Sequence, residues 1–432
     1  LHMPHPSFVF PGINVTHQDN PLLQAFDVAT YSPIRPEHIE PAIDKILAES
    51  RAAIAQLLSN QQQPTWDNLV LPMDELGARL GEAWSPVSHL NAVCNSPELR
   101  AAYEACLPKL SEFWTEMGQN RALFDAYQAL AKSPAAEQFT PAQKTILENE
   151  LRDFHLSGID LEPAKQKRYG EIQMRLSELS SSFSNNLLDA TQAWSKHITD
   201  EQALAGVTDS AKEQMAQAAQ DKELDGWLIT LEFPCYYAVM TYADDRSLRE
   251  EVYRAYSTRA SDQGPHAGQL DNSPIMAEIL DLRLELAQLL GFKNYSELSL
   301  STKMAESTEQ VLTFLHDLAQ RSKPFAEQDL TELRAFAAEH NVKDLNSWDV
   351  GYFSEKLREQ RYDISEEELR DYFPIDKVLS GLFAIVEQLY GIEITELSDF
   401  DSWHPDVRLF EITEDGNHVG RFFFDLYARS HK

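Results

Sequence analysis

The stretch Asp271–Ser307, DNSPIMAEILDLRLELAQLLGFKNYSELSLSTKMAES, decides the fold class. Asp271, Asn272 and Ser273 are residue types that cap a helix by accepting an otherwise unpaired backbone N–H. Pro274 suits a first helical position, where a missing N–H costs nothing. Ile275, Ile279, Leu282, Leu286 and Leu289 then recur at spacings of four, three, four and three, which puts them on one helix face. Gly291 is the expected stop. A second helix is expected near Asn294 and a third near Ser307, the latter carrying Val311, Phe314, Leu315 and Leu318. Three helices with short links read as a packed helical core. The stripe holds no catalytic motif, and its plain reading is core packing.

On both sides of this stretch the chain remains mainly α. A helix is expected from Pro41, with Ala42, Ile43, Ile46 and Leu47 on one face, and others over Trp66–Gly81 and from Pro97. Helical periodicity continues over 112–131, 141–155 and 163–192, and after it over 236–256, 309–340, 352–359, 365–371 and 375–390. Trp194–Ile198 and Gly226–Phe233 alternate instead, and read as two short strands, paired, with a helical excursion between them.

The end of the chain changes character. Val407–Ile412 alternates as a strand, Asp415-Gly416 is a turn signal, and Gly420–Tyr427 is the return strand. Phe422, Phe423, Phe424, Leu426 and Tyr427 load both of its faces with apolar groups. Such a strand is normally buried on both sides, and a lone hairpin is marginal in water. The hairpin is therefore expected to need partners that the sequence does not contain, and the chain reads as incomplete at its C-terminus. One face and the outer edge are expected to lack cover, which favours non-native self-association.

Composition narrows the function classes. A chain of 432 residues, 43% of them hydrophobic, can bury a large core in more than one domain. No apolar run of membrane-spanning length and no signal segment is seen. Leu1-His2-Met3 resembles a cloning remnant, and the proline-rich segment after it reads as an extended arm. Three scattered cysteines, Cys94, Cys106 and Cys235, fit buried thiols in a reducing cytosol. A net charge of −32 repels nucleic acid and anionic membranes. No GxGxxG, P-loop, GxSxG or HExxH pattern occurs. His404 and His418 can approach across the terminal hairpin, but two histidines at a turn do not make a metal site. With 69 acidic residues, no carboxylate pair stands out for acid–base work.

Several ordered blocks nevertheless resemble the thimet-oligopeptidase family of zinc peptidases, most of all its bacterial members. They are Asn20–Leu23 with Ile34–His38, then Trp84–Asn91, LRDFHLSGIDL at 151–161, and RLSELSSSFSNNLLDAT at 175–191. AYSTRASDQGP at 255–265 follows and runs into the Asp271 helix, then STKMAES, WHPDVRLFE at 403–411 and FFFDLYAR at 422–429. The resemblance implies a mainly α, two-lobed zinc-oligopeptidase architecture with small β elements and the catalytic part truncated. It divides the chain, after the remnant at 1–3, into an N-terminal helical region at 4–150, a central helical region with a strand pair at 151–402, and a hairpin at 403–432 that would open the catalytic domain.

In such enzymes a deep, narrow channel between the lobes admits short unfolded peptides. Zinc is held by the histidines of an HExxH helix and a later glutamate, with the glutamate inside the motif activating water. This sequence has no HExxH, so zinc is expected in the parent enzyme and none in this chain, and no catalytic or metal-binding residue can be carried over. Asp425, Tyr427 and Arg429 are expected to line or brace the channel floor, with an internal ion pair or a solvated strand end as the plainer alternative. Tyr256 and Arg259 are expected on the channel wall, with structural packing as the alternative. The implied partners are short peptides, and the implied location is cytoplasmic. A competing reading is a non-catalytic helical scaffold that binds peptides or a protein partner.

Overall fold

The computed structural model describes residues 20–24, 28–59, 63–429 and 432. The remnant at 1–3 and nearly all of the proline-rich arm lie outside the described residues. Six helices build the first part: α1 (Pro36–Ser59), α2 (Leu71–Val93), α3 (Pro97–Gly118), α4 (Arg121–Ala131), α5 (Pro141–Leu156) and α6 (Pro163–Ala193). Their starts are set locally. Ser96, Asn120 and Thr140 each accept the backbone N–H three residues on, and Pro97 and Pro141 sit just inside their helices. α1 begins earlier than expected, at Pro36, and accommodates Pro41 within it. Ile39, Ile43 and Ile46 of α1 pack with Leu80 and Val87 of α2 and Leu110 of α3. Leu123, Phe124 and Tyr127 of α4 close a second core with Leu147 and Phe154 of α5.

The central part opens with β1 (Ser195–Ile198), α7 (Asp209–Gln220) and β2 (Trp227–Thr230). The two strands pair antiparallel, Ser195 opposite Thr230 and Ile198 opposite Trp227, around the expected helical excursion. The single helix expected over 236–256 is two, α8 (Phe233–Tyr242) and α9 (Arg246–Ser257). Asp245 makes the break, because its carboxylate accepts the N–H groups of Ser247 and Leu248 and starts a new helix. Then come α10 (Ser273–Leu289), α11 (Tyr295–Leu300), α12 (Thr308–Glu339) and α13 (Ser347–Tyr362).

The α10 stripe faces α6. Leu286 is buried with Tyr169 and Ile172, and Leu282 and Leu289 pack half-buried on the same cluster. Of the three cap candidates, Asp271 supplies the acceptor, its Oδ1 taking the Ser273 N–H at 2.8 Å, and Asn272 does not cap α10 with its side chain. Its Oδ1 accepts from Asn186 at 2.9 Å, and its Nδ2 donates to the Phe183 carbonyl at 3.0 Å, so it fastens α10 to α6 instead. Nor does a core continue along α12. Phe314, Leu315, Leu318 and Phe325 are exposed, and only the end of α12 is packed, where Leu333, Phe336 and Ala337 meet Phe353 of α13.

A buried carboxylate holds α13 against α9. Asp349 is fully buried; it receives Arg246 at 2.7 Å and Arg249 at 3.0 Å and also accepts the Asn346 N–H. Arg249, itself buried, donates to the Ala243 carbonyl at 2.7 Å and lies over the Tyr352 ring. Burial alone would raise the Asp349 carboxyl, but these donors outweigh it and keep its pKa below the usual range.

The last elements are α14 (Glu366–Arg370), α15 (Ile375–Tyr390), β3 (Glu393–Leu397), β4 (Arg408–Glu414) and β5 (Asn417–Phe424). The expected hairpin is β4–β5, with Asp415 and Gly416 both at positive φ (50° and 75°), the backbone that an Asp-Gly hairpin turn requires. β3 was not foreseen, and it pairs antiparallel with β4 to give the order β3-β4-β5. The expectation of a bare hairpin face also needs correction. Phe383 of α15 packs against Phe410, Phe422 and Phe424 on one face, while Phe423 meets Tyr31, Phe400 and Trp403 on the other. The outer edge of β5 has no strand partner among the described residues. Among the same residues, no helix is long and apolar enough to cross a membrane.

Removing Asp349 leaves two guanidinium groups without their shared partner. Asp349→Ala is expected to cost about 3–5 kcal/mol. Hydrogen exchange should quicken over 246–257 and 347–362 while the α1–α3 core stays protected; unchanged protection in those two segments would contradict the account.

Candidate functional site

The five residues expected at a channel fall into two separate groups. In the first, Arg259 lies 3.6 Å over the Tyr256 ring, donates from Nε to the Tyr256 carbonyl at 2.9 Å, and donates from Nη1 to Thr191 Oγ1 at 2.8 Å. Tyr236 stacks on the other side of Tyr256 with 3.8 Å between ring centroids. The loop that follows is closely fitted. Gly264 has φ +83°, and a Cβ there would stand 1.9 Å from Thr258 Oγ1, so a side chain is excluded. Tyr256 and Arg259 are therefore mutually packed and half-buried.

In the second group, Asp425 follows β5 and is the hub. It accepts from Arg429 Nη1 at 2.7 Å and Nη2 at 2.9 Å, from Trp403 Nε1 at 2.9 Å, and lies 3.0 Å from Lys432 Nζ. Burial would raise its pKa, but the bonds from Arg429, Trp403 and Lys432 prevail and hold the carboxyl well below the usual range. Arg429 also reaches the Val93 carbonyl at the end of α2. Asp425 and Arg429 thus form an internal ion pair. Tyr427 lies apart from it with its side chain half exposed, and its carbonyl accepts from Lys432.

Sequence reasoning missed the residues that surround this pair. Trp403 packs edge-on against His89 at 4.1 Å and against Tyr31 at 4.8 Å. Asp401 accepts the backbone N–H groups of Tyr31 and Ser32. The segment 400–429 is thereby docked onto the start of the chain and onto α2. WHPDVRLFE was visible as a block, but no spacing rule pairs Trp403 with His89, more than 300 residues away. Among the described residues, no group of three or more His, Cys, Asp or Glu side chains could hold a metal ion.

The docking should be acid-sensitive in two steps. Burial lowers the pKa of His89, with Asp425 opposing and Arg429 and Lys432 reinforcing the shift, and its Nε2 has no hydrogen-bond partner among the described residues. The unfolded state then takes up the proton first, so stability falls as pH drops below about 6.5. Asp425 is shifted down as well; its contribution is intact above about 4 and is lost as pH falls below that value. Hydrogen exchange at 417–429, corrected for intrinsic rates, should show both steps. His89→Phe should abolish the upper one. Asp425→Asn should abolish the lower one and cost about 2 kcal/mol at pH 7. A single step unchanged by either substitution would contradict this assignment.

Comparison with known sequences fits the segmental character of the fold. The family model described as Peptidase family M3 matches residues 239–432, and the one described as Neurolysin/Thimet oligopeptidase, N-terminal domain, matches residues 43–166. Oligopeptidase A of Salmonella typhimurium is 53% identical over 415 residues, covering 96% of this chain and 61% of that protein. Oligopeptidase A of Haemophilus influenzae is 52% identical with the same coverage. Saccharolysin of Saccharomyces cerevisiae is 26% identical over 396 residues, covering 87% of this chain and 54% of that protein. The chain thus spans about three fifths of the length of the oligopeptidases A that it matches, 61% in each case. Two family models in the family's order, with the bacterial identities behind them, place this chain in the M3 peptidase family, that of the thimet oligopeptidases.

Proposed function

We propose that this chain is the N-terminal part of a zinc-dependent oligopeptidase that hydrolyses short unfolded peptides, and that it contributes walls of the peptide channel, not the hydrolytic centre. The observation that carries the reading is the 53% identity to an oligopeptidase A along 96% of the chain. The sequence has no HExxH, so no hydrolytic step is assigned to its residues. In this reading the helical regions at 4–150 and 151–402 contribute to two lobes with a deep channel between them, and the sheet that closes the chain leads into the catalytic domain.

Tyr256 with Arg259 then belongs to the channel wall, and Asp425, Tyr427 and Arg429 to its floor. Their packing supports different tasks within this reading. Arg259 and the Asp425–Arg429 pair have internal partners, so they position their surroundings. Tyr427, half exposed, has ring surface to offer a peptide. The −32 charge fits a cytoplasmic peptide enzyme that does not engage nucleic acid.

The test uses this chain with a mixture of short unfolded peptides. After extensive dialysis, metal analysis should find no stoichiometric zinc, and mass spectrometry should find no cleavage. Saturable peptide binding should remain, weakened about fivefold by Tyr427→Ala. One tightly held zinc per chain with chelator-sensitive cleavage would overturn the assignment of the hydrolytic centre. Absence of peptide binding would overturn the channel wall. Reading the gene past the codon for Lys432 separates the alternatives: an in-frame HExxH supports the peptidase, and a stop there supports a non-catalytic peptide-binding scaffold.

A further inference from the structure

A cavity of about 650 Å³ opens between α2, α3, α6 and the α10–α11 pair, well within the size range of small-molecule sites. None of the five channel candidates lines it. Its walls mix leucines and hydroxyl side chains with four aromatic rings, those of Trp84, Trp114, Tyr169 and Tyr295. Trp84 is held in place by stacking on Tyr103, with 4.8 Å between centroids and planes 15° apart, and Trp114 stands at the rim, 53% exposed. Room on the α2 side comes from Gly81, where an added Cβ would meet nothing within 4 Å. Ser177 of α6 adds a hydroxyl to the lining.

Among the described residues, the single charged side chain of the lining is Arg283. Its neighbours on the α6–α10 seam are paired: Arg168 binds Glu285 at 2.7 Å, and Arg175 binds Glu278 at 2.6 Å. Arg283 has no hydrogen-bond or carboxylate partner among the described residues and rests on the Tyr295 ring at 4.8 Å. In a chain with 69 acidic and 37 basic residues, a guanidinium left without a carboxylate among the described residues, in a cavity that two tryptophans also line, is a distinct chemical feature.

We propose that this cavity binds a small monocarboxylate carrying one aromatic or branched apolar group, with the carboxylate on Arg283 and the apolar group between Trp84 and Trp114. A planar guanidinium matches a carboxylate through two parallel N–H bonds. One cation inside a field of −32 selects against dianions, and a neutral ligand would leave the guanidinium unpaired. The aromatic walls bury a ring or branched chain at little cost in order. The chemistry is shared by an N-blocked apolar amino acid and by the C-terminal residue of a short peptide. The inference does not rest on the peptidase reading and survives its failure.

The experiment titrates the full chain with N-acetylphenylalanine, its C-terminal amide and Gly-Gly-Phe, followed by calorimetry and tryptophan fluorescence. At least one of the two acids should bind with a Kd below about 1 mM and quench fluorescence, with the amide about tenfold or more weaker. Binding by either acid supports the site, and the tighter of the two identifies the source. Arg283→Gln should erase the preference for acid over amide, and Arg283→Lys should retain part of it. Gly81→Leu fills the cavity with a better helix former, so it should fold at least as well, by circular dichroism, and lose binding. Three results would each overturn the proposal: no acid binding up to about 10 mM, equal binding of acid and amide to the unaltered chain, or unchanged binding in a folded Gly81→Leu variant.

Discussion

The docking of the last strand onto the first helices turns on one carboxylate. Asp425 gathers donors from Arg429, Trp403 and Lys432 and is largely shielded from water. Arg429 and Lys432 follow it closely in the chain, whereas Trp403 comes from before β4. Trp403 carries the segment before β4 and packs on His89 of α2, and Arg429 reaches the carbonyl that ends α2. Tyr31 completes the arrangement, its ring against Phe423 of β5 and its N–H on Asp401. A neutral group at position 425 would satisfy part of this set and leave a half-buried guanidinium short of its counter-charge, which is the costly case. The terminal sheet is therefore held by electrostatics at one end and by aromatic packing on both faces.

Asp349 solves a related problem differently. It is wholly buried and faces two arginines, one of them also buried. Arg249 and Asp349 balance each other in the interior, while Arg246 approaches the same carboxylate from the solvent side. Carbonyl acceptors at Ala243, Trp348 and Asp344 take up the remaining N–H groups. The arrangement fixes the crossing of α9 and α13, and α13 in turn supports the packed end of α12.

How much of this was legible follows the range of each signal. Helix starts, the Asp415-Gly416 turn and the alternation within β1 and within β2 rest on residues a few positions apart, and a sequence displays them. β3 escaped notice because Glu393-Ile394-Thr395-Glu396-Leu397 mixes charge and apolar residues without clean alternation, and pairing with β4 decides its state. Asn272 read as a cap because its residue type fits one; the presence of Asn186 in space redirects it. Asp425 and Arg429 form the internal ion pair that stood as the plainer alternative to a channel floor. Their Trp403, His89 and Tyr31 neighbours are tertiary facts that no local rule contains. Arg283 was silent for a related reason: a missing partner has no sequence signature.

The apolar stripes show the same limit more sharply. Met276, Leu280 and Leu284 on α10, Leu312, Leu315 and Leu318 on α12, and Val378, Leu382, Ile385 and Leu389 on α15 recur at helical spacing, and all are exposed. Such stripes ordinarily mark a buried face, and contacts among the described residues leave these exposed. A stripe specifies that a face is worth burying, at about 25 cal/mol per Å²; it does not specify what buries it. These three stripes all fall within the segment matched by the Peptidase family M3 model, residues 239–432. In 43–166, matched by the N-terminal domain model, the exposed large apolar residues Leu71, Trp114 and Ile146 stand singly, which is ordinary for a protein surface. The N-terminal helices thus close their cores among themselves. The later helices present organised apolar faces over lengths that solvated monomer surfaces do not usually carry, so their sequence pattern is accounted for only in part by contacts within the described residues.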